Sequence, residues 1–435
     1  MVKLPKWLRK SKKIRILFPK NPIVLAAAIC AAFVYSGKVV VQSRSPFRTL
    51  FPENEICRLT GTVASNPTKT NAFDGAYRMD FRAEENATRQ GASGAADGIV
   101  SVYVPAGIVE SLFPGRLYTD ASVHGGMLID TGVRLTLSVT PARNAHEFLA
   151  GSVHAHGWGE GRLARLRHFR ALCRLQFRRL MFAWGRAGGL LLALLSGSRE
   201  YTEDIVSDSF RNAGLSHILA LSGMHLSLFS GLALFLGKKA ASRTIADGLQ
   251  LGAILFFVWF AGVSPSLFRA MLCALLLFSG SLLRMNRPAG ITVLSASFLV
   301  HLVIFPGHLQ TAAFMLSYGA LAGILLVSAQ VKRLFSRRFF PKLTASLSDS
   351  AAAQLFTAPV VLRLFGKLMP VGILASVVVS PLVVYFLYAG LLGIVLCLAL
   401  PFLSPSFGAI LNLFYELIKA VAVWFARFPS VSFNP

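Results

Sequence analysis

Between residues 188 and 430 this chain is a succession of apolar stretches parted by short clusters of Lys and Arg. A helical crossing of a bilayer takes about 20 apolar residues, and stretches of that order fall at about 215–236, 246–262, 265–283, 289–305, 310–330, 345–365, 371–399 and 404–426. Only 14% of the 435 residues are charged and 54% are hydrophobic, against about 25% charged in soluble domains. The expected fold is a polytopic α-helical membrane protein of about 8–10 spans.

An earlier apolar stretch, about 23–41, follows the basic run Lys3, Lys6, Arg9, Lys10, Lys12, Lys13, Arg15 and Lys20. With no compact core and small-residue cleavage site, it reads as an uncleaved first span with a cytoplasmic N-terminus, residues 1–41. Three basic loops alternate with the later spans: Lys238, Lys239 and Arg243; Arg284 and Arg287; and Lys332, Arg333, Arg337, Arg338 and Lys342. One topology places all three on the cytoplasmic side. That bias explains much of the net charge of +25, so charge alone does not require a nucleic-acid partner. Pro381 divides 371–399 into either one span or a half-helix and a span, which leaves the side of the C-terminus open.

Residues 42–150 differ in character. Short alternating runs at 56–65, 77–83, 99–104, 117–124 and 133–139 are separated by Gly, Pro, Asn and Asp, the pattern of a small all-β unit. Five such strands suit an OB-like barrel, placed outside the cytoplasmic membrane by the first span. Residues 151–187 then interleave Arg162, Arg165, Arg167, Arg170, Arg174, Arg178 and Arg179 with Leu163, Leu166, Phe169, Cys173, Phe177 and Leu180 at helical period. An amphipathic helix lying in the membrane interface is expected. Its arginines, among them Arg162, Arg165, Arg170, Arg174 and Arg178, would meet lipid phosphates or guide DNA phosphates.

Four polar islands interrupt the membrane region, 188–430. They are Ser216, His217, Ser222, Gly223 and His225; Gly262 to Ala270, with Arg269; His308 to Tyr318, with Gln310 and Ser317; and Gln354 to Pro359, followed by Arg363. Polar groups in hydrocarbon cost several kcal/mol unless they find partners or water. They therefore line a passage or bond between helices, and Arg269 either meets an anion or snorkels. The five cysteines are scattered without metal-type spacing, so neither a metal nor a cofactor is expected.

The ordered motifs Gly-Leu-Ser-His-x-Leu-Ala-x-Ser-Gly-x-His, Gly-x-Ser-Pro-Ser-x-x-Arg-Ala, Phe-x-Leu-Ser-Tyr and Ala-Gln-Leu-x-Thr-x-Pro resemble the competence domain of ComEC-type DNA-internalisation proteins. The likeness covers about 190–430, with the β-unit ahead of it similar to the family's OB-like region. It implies a channel in the bacterial cytoplasmic membrane passing single-stranded DNA inward, lined by His217, Ser222, His225, Arg269, Gln310, Ser317, Gln354 and Arg363. Implied partners are the DNA strand, membrane lipids, an external DNA receptor, a cytoplasmic motor or helicase, and a second copy of the chain. Longer members carry a metallo-β-lactamase-like domain. Here His154-Ala-His156 continues as Gly-Trp-Gly, so no nuclease activity, and no enzyme, is expected. Where the family has Asn before Pro-Leu, this chain has Ala375 and Ser376. Two rival readings use the same residues: a transporter of another anionic polymer or lipid-linked sugar, and an intramembrane serine hydrolase built on Ser222 with His225 or His217.

Overall fold

The computed structural model describes residues 21–36, 47–114, 117–118, 127–239, 243–283, 286, 288–335 and 341–432. The N-terminal basic run, Arg284, Arg287, Arg337 and Arg338, and all but the start of the strand expected at 117–124 lie outside them. The chain forms two compact units. One comprises Arg44–Ser207 and Val383–Ala420, the other Met1–Ser43, Asp208–Leu382 and Val421–Pro435.

The first unit holds a closed five-stranded barrel. β2 (Ile56–Val63) pairs antiparallel with β4 (Tyr77–Thr88), and β4 with β5 (Ser93–Val104). β5 runs parallel to β7 (Glu147–Gly157), which pairs with β6 (Arg134–Pro141), and β6 returns to β2. The short strands β1 (Arg48–Thr49) and β3 (Thr68–Lys69) extend the sheet, and the short helix α2 (Ala106–Glu110) links β5 toward β6. This is the barrel architecture of an OB-like domain. Strand alternation turns Leu59, Tyr77, Phe81, Val100, Leu135, Leu137 and Phe148 into one core. At the register shift between Thr60 and Gly61 only glycine fits, because a Cβ at 61 would collide with the Arg82 carbonyl.

Two strand expectations change. β4 and β5 continue past 83 and before 99, because a bulge at Ala83/Glu85 shifts the register under the polar run Glu84-Glu85-Asn86. β7 was absent from the sequence-based set, yet it closes the barrel and runs beyond residue 150.

Helix α3 (Arg162–Ala183) packs on the barrel: Leu175 belongs to the barrel core. It passes at Trp184 into α4 (Gly185–Ser196), which lies against the second part of α13 (Gly372–Ala399) and against α14 (Ser404–Ala426). Asn412 bridges the α3–α4 break. Its Nδ2 donates to the Trp184 carbonyl at 3.0 Å and its Oδ1 accepts from the Ala187 amide at 3.1 Å. The Trp184 indole donates to Ser404, and Gly390, Gly393 and Gly408 admit Leu191 and Trp184. Nearby, Lys419 and Tyr415 both donate to Glu203 at 2.8 Å with Arg186 at 2.7 Å, which holds the Glu203 carboxyl below its ordinary range.

The second unit is helical. It contains α1 (Pro22–Tyr35), the end of α5 (Asp204–Asn212), α6 (Ser216–Leu219), α7 (Gly223–Lys239), α8 (Arg243–Ala261), α9 (Pro265–Leu282), α10 (Gly290–Ile304), α11 (Ala312–Phe335) and α12 (Pro341–Phe365). The first part of α13 also belongs to it, as does the two-residue pairing of β8 (Lys367–Leu368) with β9 (Val431–Ser432). Among the described residues, three stretches are long and apolar enough to cross a membrane: Ala312–Leu334, Gly372–Ala399 and Pro401–Ala426. Six shorter apolar helices accompany them.

The Gly319-x-x-x-Gly323 pair behaves unequally. A Cβ at Gly323 would strike the Ala352 carbonyl and Phe356, whereas one at Gly319 would meet only Thr357 Cγ2 at 3.7 Å and the Phe356 carbonyl at 3.9 Å. Gly323→Ala should therefore destabilise the α11–α12 pair by about 1–3 kcal/mol, and Gly319→Ala should cost no more than about 0.5 kcal/mol. Thermal unfolding of both purified variants in one detergent checks this. Equal midpoints would refute the close crossing at Gly323.

Candidate functional site

The islands supply helix boundaries as well as polar groups. Gly262 sits just past α8 at φ +97°, its amide donating back to the Val258 carbonyl. Ser264 Oγ then accepts the Leu267 amide at 3.3 Å, and Pro265 opens α9. Gly-Val-Ser-Pro is thus a helix stop followed by a helix start, and it fixes Arg269 just beyond the first turn of α9. Thr311 likewise accepts the Phe314 amide at the start of α11.

At α7, Ser222 precedes the first helical residue and His225 stands three positions later. His225 Nδ1 accepts the Ser222 amide at 3.1 Å, the back-reaching half of a capping box in which His replaces the usual Glu or Gln. Because Nδ1 is an acceptor, Nε2 carries the proton. His225 is 1% exposed, and its Nε2 is a buried donor without a partner.

Arg269 joins three helices. Its Nη1 donates to the Ser317 carbonyl of α11 at 2.6 Å. Its Nη2 lies against Gly223 at the start of α7, where a Cβ would approach within 3.1 Å. Its Nε is buried without a partner, and among the described residues no carboxylate forms an ion pair with it. The N-terminal end of a helix carries about half a positive charge, so α7 and the guanidinium repel unless an anion lies against both. Such an arrangement suits phosphate.

Next to this cluster runs a row of hydrogen bonds. The Tyr318 hydroxyl donates to the Ser297 carbonyl at 3.1 Å. With that proton committed, His301 Nδ1–H donates to Tyr318 Oη at 3.2 Å, and His301 Nε2 accepts from His308 Nδ1–H at 3.0 Å. His301 is fully buried among Phe268, Phe305 and Phe314. It was not among the sequence candidates.

The sequence-predicted residues divide accordingly. Ser222, His225, Arg269 and Ser317 come together, Ser317 through its carbonyl. Gln354 sits elsewhere: its Nε2 donates to the Met369 carbonyl at 2.7 Å, and Met369 packs on Gly214. His217 on α6, Gln310 and Arg363 are exposed and make no described hydrogen bond to the Arg269 cluster.

The arginine helix requires a correction. Arg170, Arg174 and Arg178 face the barrel instead of lipid or DNA. Arg170 Nη1 donates to Asp130 and to Asn66, each at 3.0 Å, and Arg174 Nε lies 3.3 Å from Asp130. Arg178 Nη2 donates to Glu200 at 3.0 Å. All three are nearly sealed from solvent, and burial draws the Arg174 guanidinium down to about 10, which leaves it charged at neutral pH. Carboxylates offset the cost of burying these three guanidinium groups, and those carboxylates are far away in sequence. Only Arg162 and Arg165 of the five expected phosphate contacts are exposed.

The family model described as "Competence protein" matches residues 194–435, more than half of the chain. The chain belongs to this family. Within it, the competence-family chain is 29% identical over 244 residues to ComE operon protein 3 of Bacillus subtilis (strain 168), covering 55% of this chain and 29% of that protein. It is 30% identical over 244 residues to an uncharacterized protein of Aquifex aeolicus (strain VF5), covering 56% of this chain and 55% of that one. It therefore spans less than two thirds of either relative. No solved structure matches. The Arg269 cluster and the His301 row both lie inside the matched region.

Proposed function

We propose that this chain is a conduit in the bacterial cytoplasmic membrane through which single-stranded DNA passes inward during natural transformation. The observation that carries the reading is Arg269. A guanidinium with no carboxylate partner among the described residues, set among apolar helices and against a positive helix end, suits a ligand that brings negative charge. Phosphates passing such a point must be held weakly enough to leave again.

In this reading the N-terminus is cytoplasmic and the barrel extracytoplasmic. One hydrogen bond supports the first part. Asn21 at the start of α1 donates to Thr292 in the first turn of α10 at 3.1 Å, so the N-terminal end of α1 sits with the end of α10 that follows the Arg284/Arg287 loop. The barrel region is acidic: over residues 47–160 twelve Asp and Glu outnumber nine Lys and Arg. Capture of DNA outside therefore falls to a separate receptor, and the driving pull to a cytoplasmic motor, since the chain has no nucleotide-binding loop.

The hydrolase alternative draws on one contact, Ser222 Oγ to His225 Nδ1 at 3.2 Å. That nitrogen already accepts the Ser222 amide, and no carboxylate orients the ring at Nε2. Ser222→Ala should therefore leave uptake within about twofold of the parent, since it keeps the amide that His225 Nδ1 accepts and loses one hydroxyl contact of about 0.5 kcal/mol. Delivery of labelled DNA to the cytoplasm of a deletion strain, with surface-bound DNA scored separately, tests the main reading. Deletion should abolish internalisation and spare surface binding. An unchanged transformation frequency would defeat the DNA reading and leave a transporter of another anionic polymer.

A further inference from the structure

Helix α3 buries much of its charge. Across Arg162–Ala183 there are seven arginines and no carboxylate. Arg170, Arg174 and Arg178, spaced four apart, occupy one face and are fixed inward by Asp130 and Glu200. Phe169 and Leu172, 58% and 36% exposed, lie across the helix from these arginines with Arg165, while Leu166, 48% exposed, and Arg162 stand exposed in its first two turns. A soluble helix puts its apolar stripe toward the core and its charge toward water. Here ion pairing holds charge inward beside buried Ala171, Leu175 and Leu180, and a second set of apolar side chains looks out.

We propose that this outer face lies in the headgroup region of an anionic lipid bilayer, with Leu166, Phe169 and Leu172 in the acyl boundary and Arg162 and Arg165 at the phosphates. Two observations favour lipid over a protein partner. The exposed charges flanking the stripe are cationic, matching an anionic surface. The helix also runs through Trp184 directly into α4, which packs on α14, a helix long and apolar enough to cross a membrane, so α3 continues into a part of the same unit that meets lipid. The interfacial helix expected from sequence keeps its apolar contact with the membrane, but Arg170, Arg174 and Arg178 turn inward to carboxylates instead of meeting phosphates.

The inference rests on membrane placement and not on DNA transport, and its test uses no DNA. A nitroxide is attached to cysteine at position 166 or 169 of the full chain, with the five native cysteines replaced, in vesicles of phosphatidylcholine with or without phosphatidylglycerol. Relaxation by oxygen, which partitions into lipid, is compared with relaxation by a water-soluble nickel chelate. Leu413 on α14, 75% exposed, serves as the lipid reference, and exposed Arg89 on the barrel as the water reference. Positions 166 and 169 should give oxygen-to-nickel ratios near that of position 413 in anionic vesicles. Arg162→Gln with Arg165→Gln should move those ratios toward that of position 89. Ratios equal to position 89 in the parent would overturn the proposal. Low access to both reagents, as under a second copy or another protein, would overturn it too. Ratios indifferent to phosphatidylglycerol and to the arginine changes would overturn the assignment to anionic headgroups.

Discussion

Arg269→Gln is expected to nearly abolish DNA internalisation while leaving the folded protein at least as stable as the parent. The two halves of this expectation have one cause. As a cation buried with no carboxylate partner among the described residues, Arg269 costs the bundle desolvation energy that its bond to the Ser317 carbonyl only partly offsets. Glutamine removes the charge and most of that cost. A charge-assisted hydrogen bond to phosphate contributes about 1.5–3 kcal/mol, so losing it should lower passage about 10- to 100-fold. Arg269→Lys separates charge from geometry. It keeps the cation but lacks the fork that spans Ser317 and Gly223, and it should retain intermediate uptake. Internalised label per cell, normalised to membrane-inserted protein, gives the first readout, and thermal unfolding in detergent gives the second. Loss of uptake together with a fall in stability would make Arg269 an ordinary packing residue.

Arg269 was legible from sequence because a permanent charge just inside an apolar stretch departs from the local rule, and such departures mark sites. His301 was not legible. A single histidine in Phe-Leu-Val-His-Leu-Val has no periodicity, and its meaning comes from Tyr318 and His308, which only the fold places around it. The barrel could be read where strict alternation held, as in β2 and β6. It could not be read where a bulge changed which side chains face inward, as after Ala83, or where the strand's second half is polar and exposed, as in β7 at His154 and His156. The arginine helix was recognised as a helix, but the inward turn of Arg170, Arg174 and Arg178 was not. Periodicity identifies the stripes on a helix, but it does not say which stripe has a buried carboxylate waiting for it.

Asp130 is that carboxylate, and Asp130→Ala should be among the most destabilising single changes in the barrel unit. Asp130 is 2% exposed, and its two oxygens serve Arg170 and Arg174, while Oδ1 also accepts the Thr131 amide at 2.7 Å. Removing it takes the carboxylate from two buried guanidinium groups, of which Arg174 already has an unpartnered Nη1. Breaking a buried ion pair in this way costs about 3–5 kcal/mol, a large share of the roughly 5–15 kcal/mol that holds a domain together. The exposed pair between Glu84 and Arg134, 3.1 Å apart, provides the contrast: Glu84→Ala should cost no more than about 1 kcal/mol. Protease cleavage between the barrel and α3 in the full chain reports on this unit without requiring the helical unit to unfold. It should accelerate strongly for Asp130→Ala and barely for Glu84→Ala. Adding Arg170→Met and Arg174→Leu to Asp130→Ala should recover most of the loss, since the buried charges go with their carboxylate. Failure of that rescue would mean Asp130 acts through the Thr131 turn instead of the ion pairs.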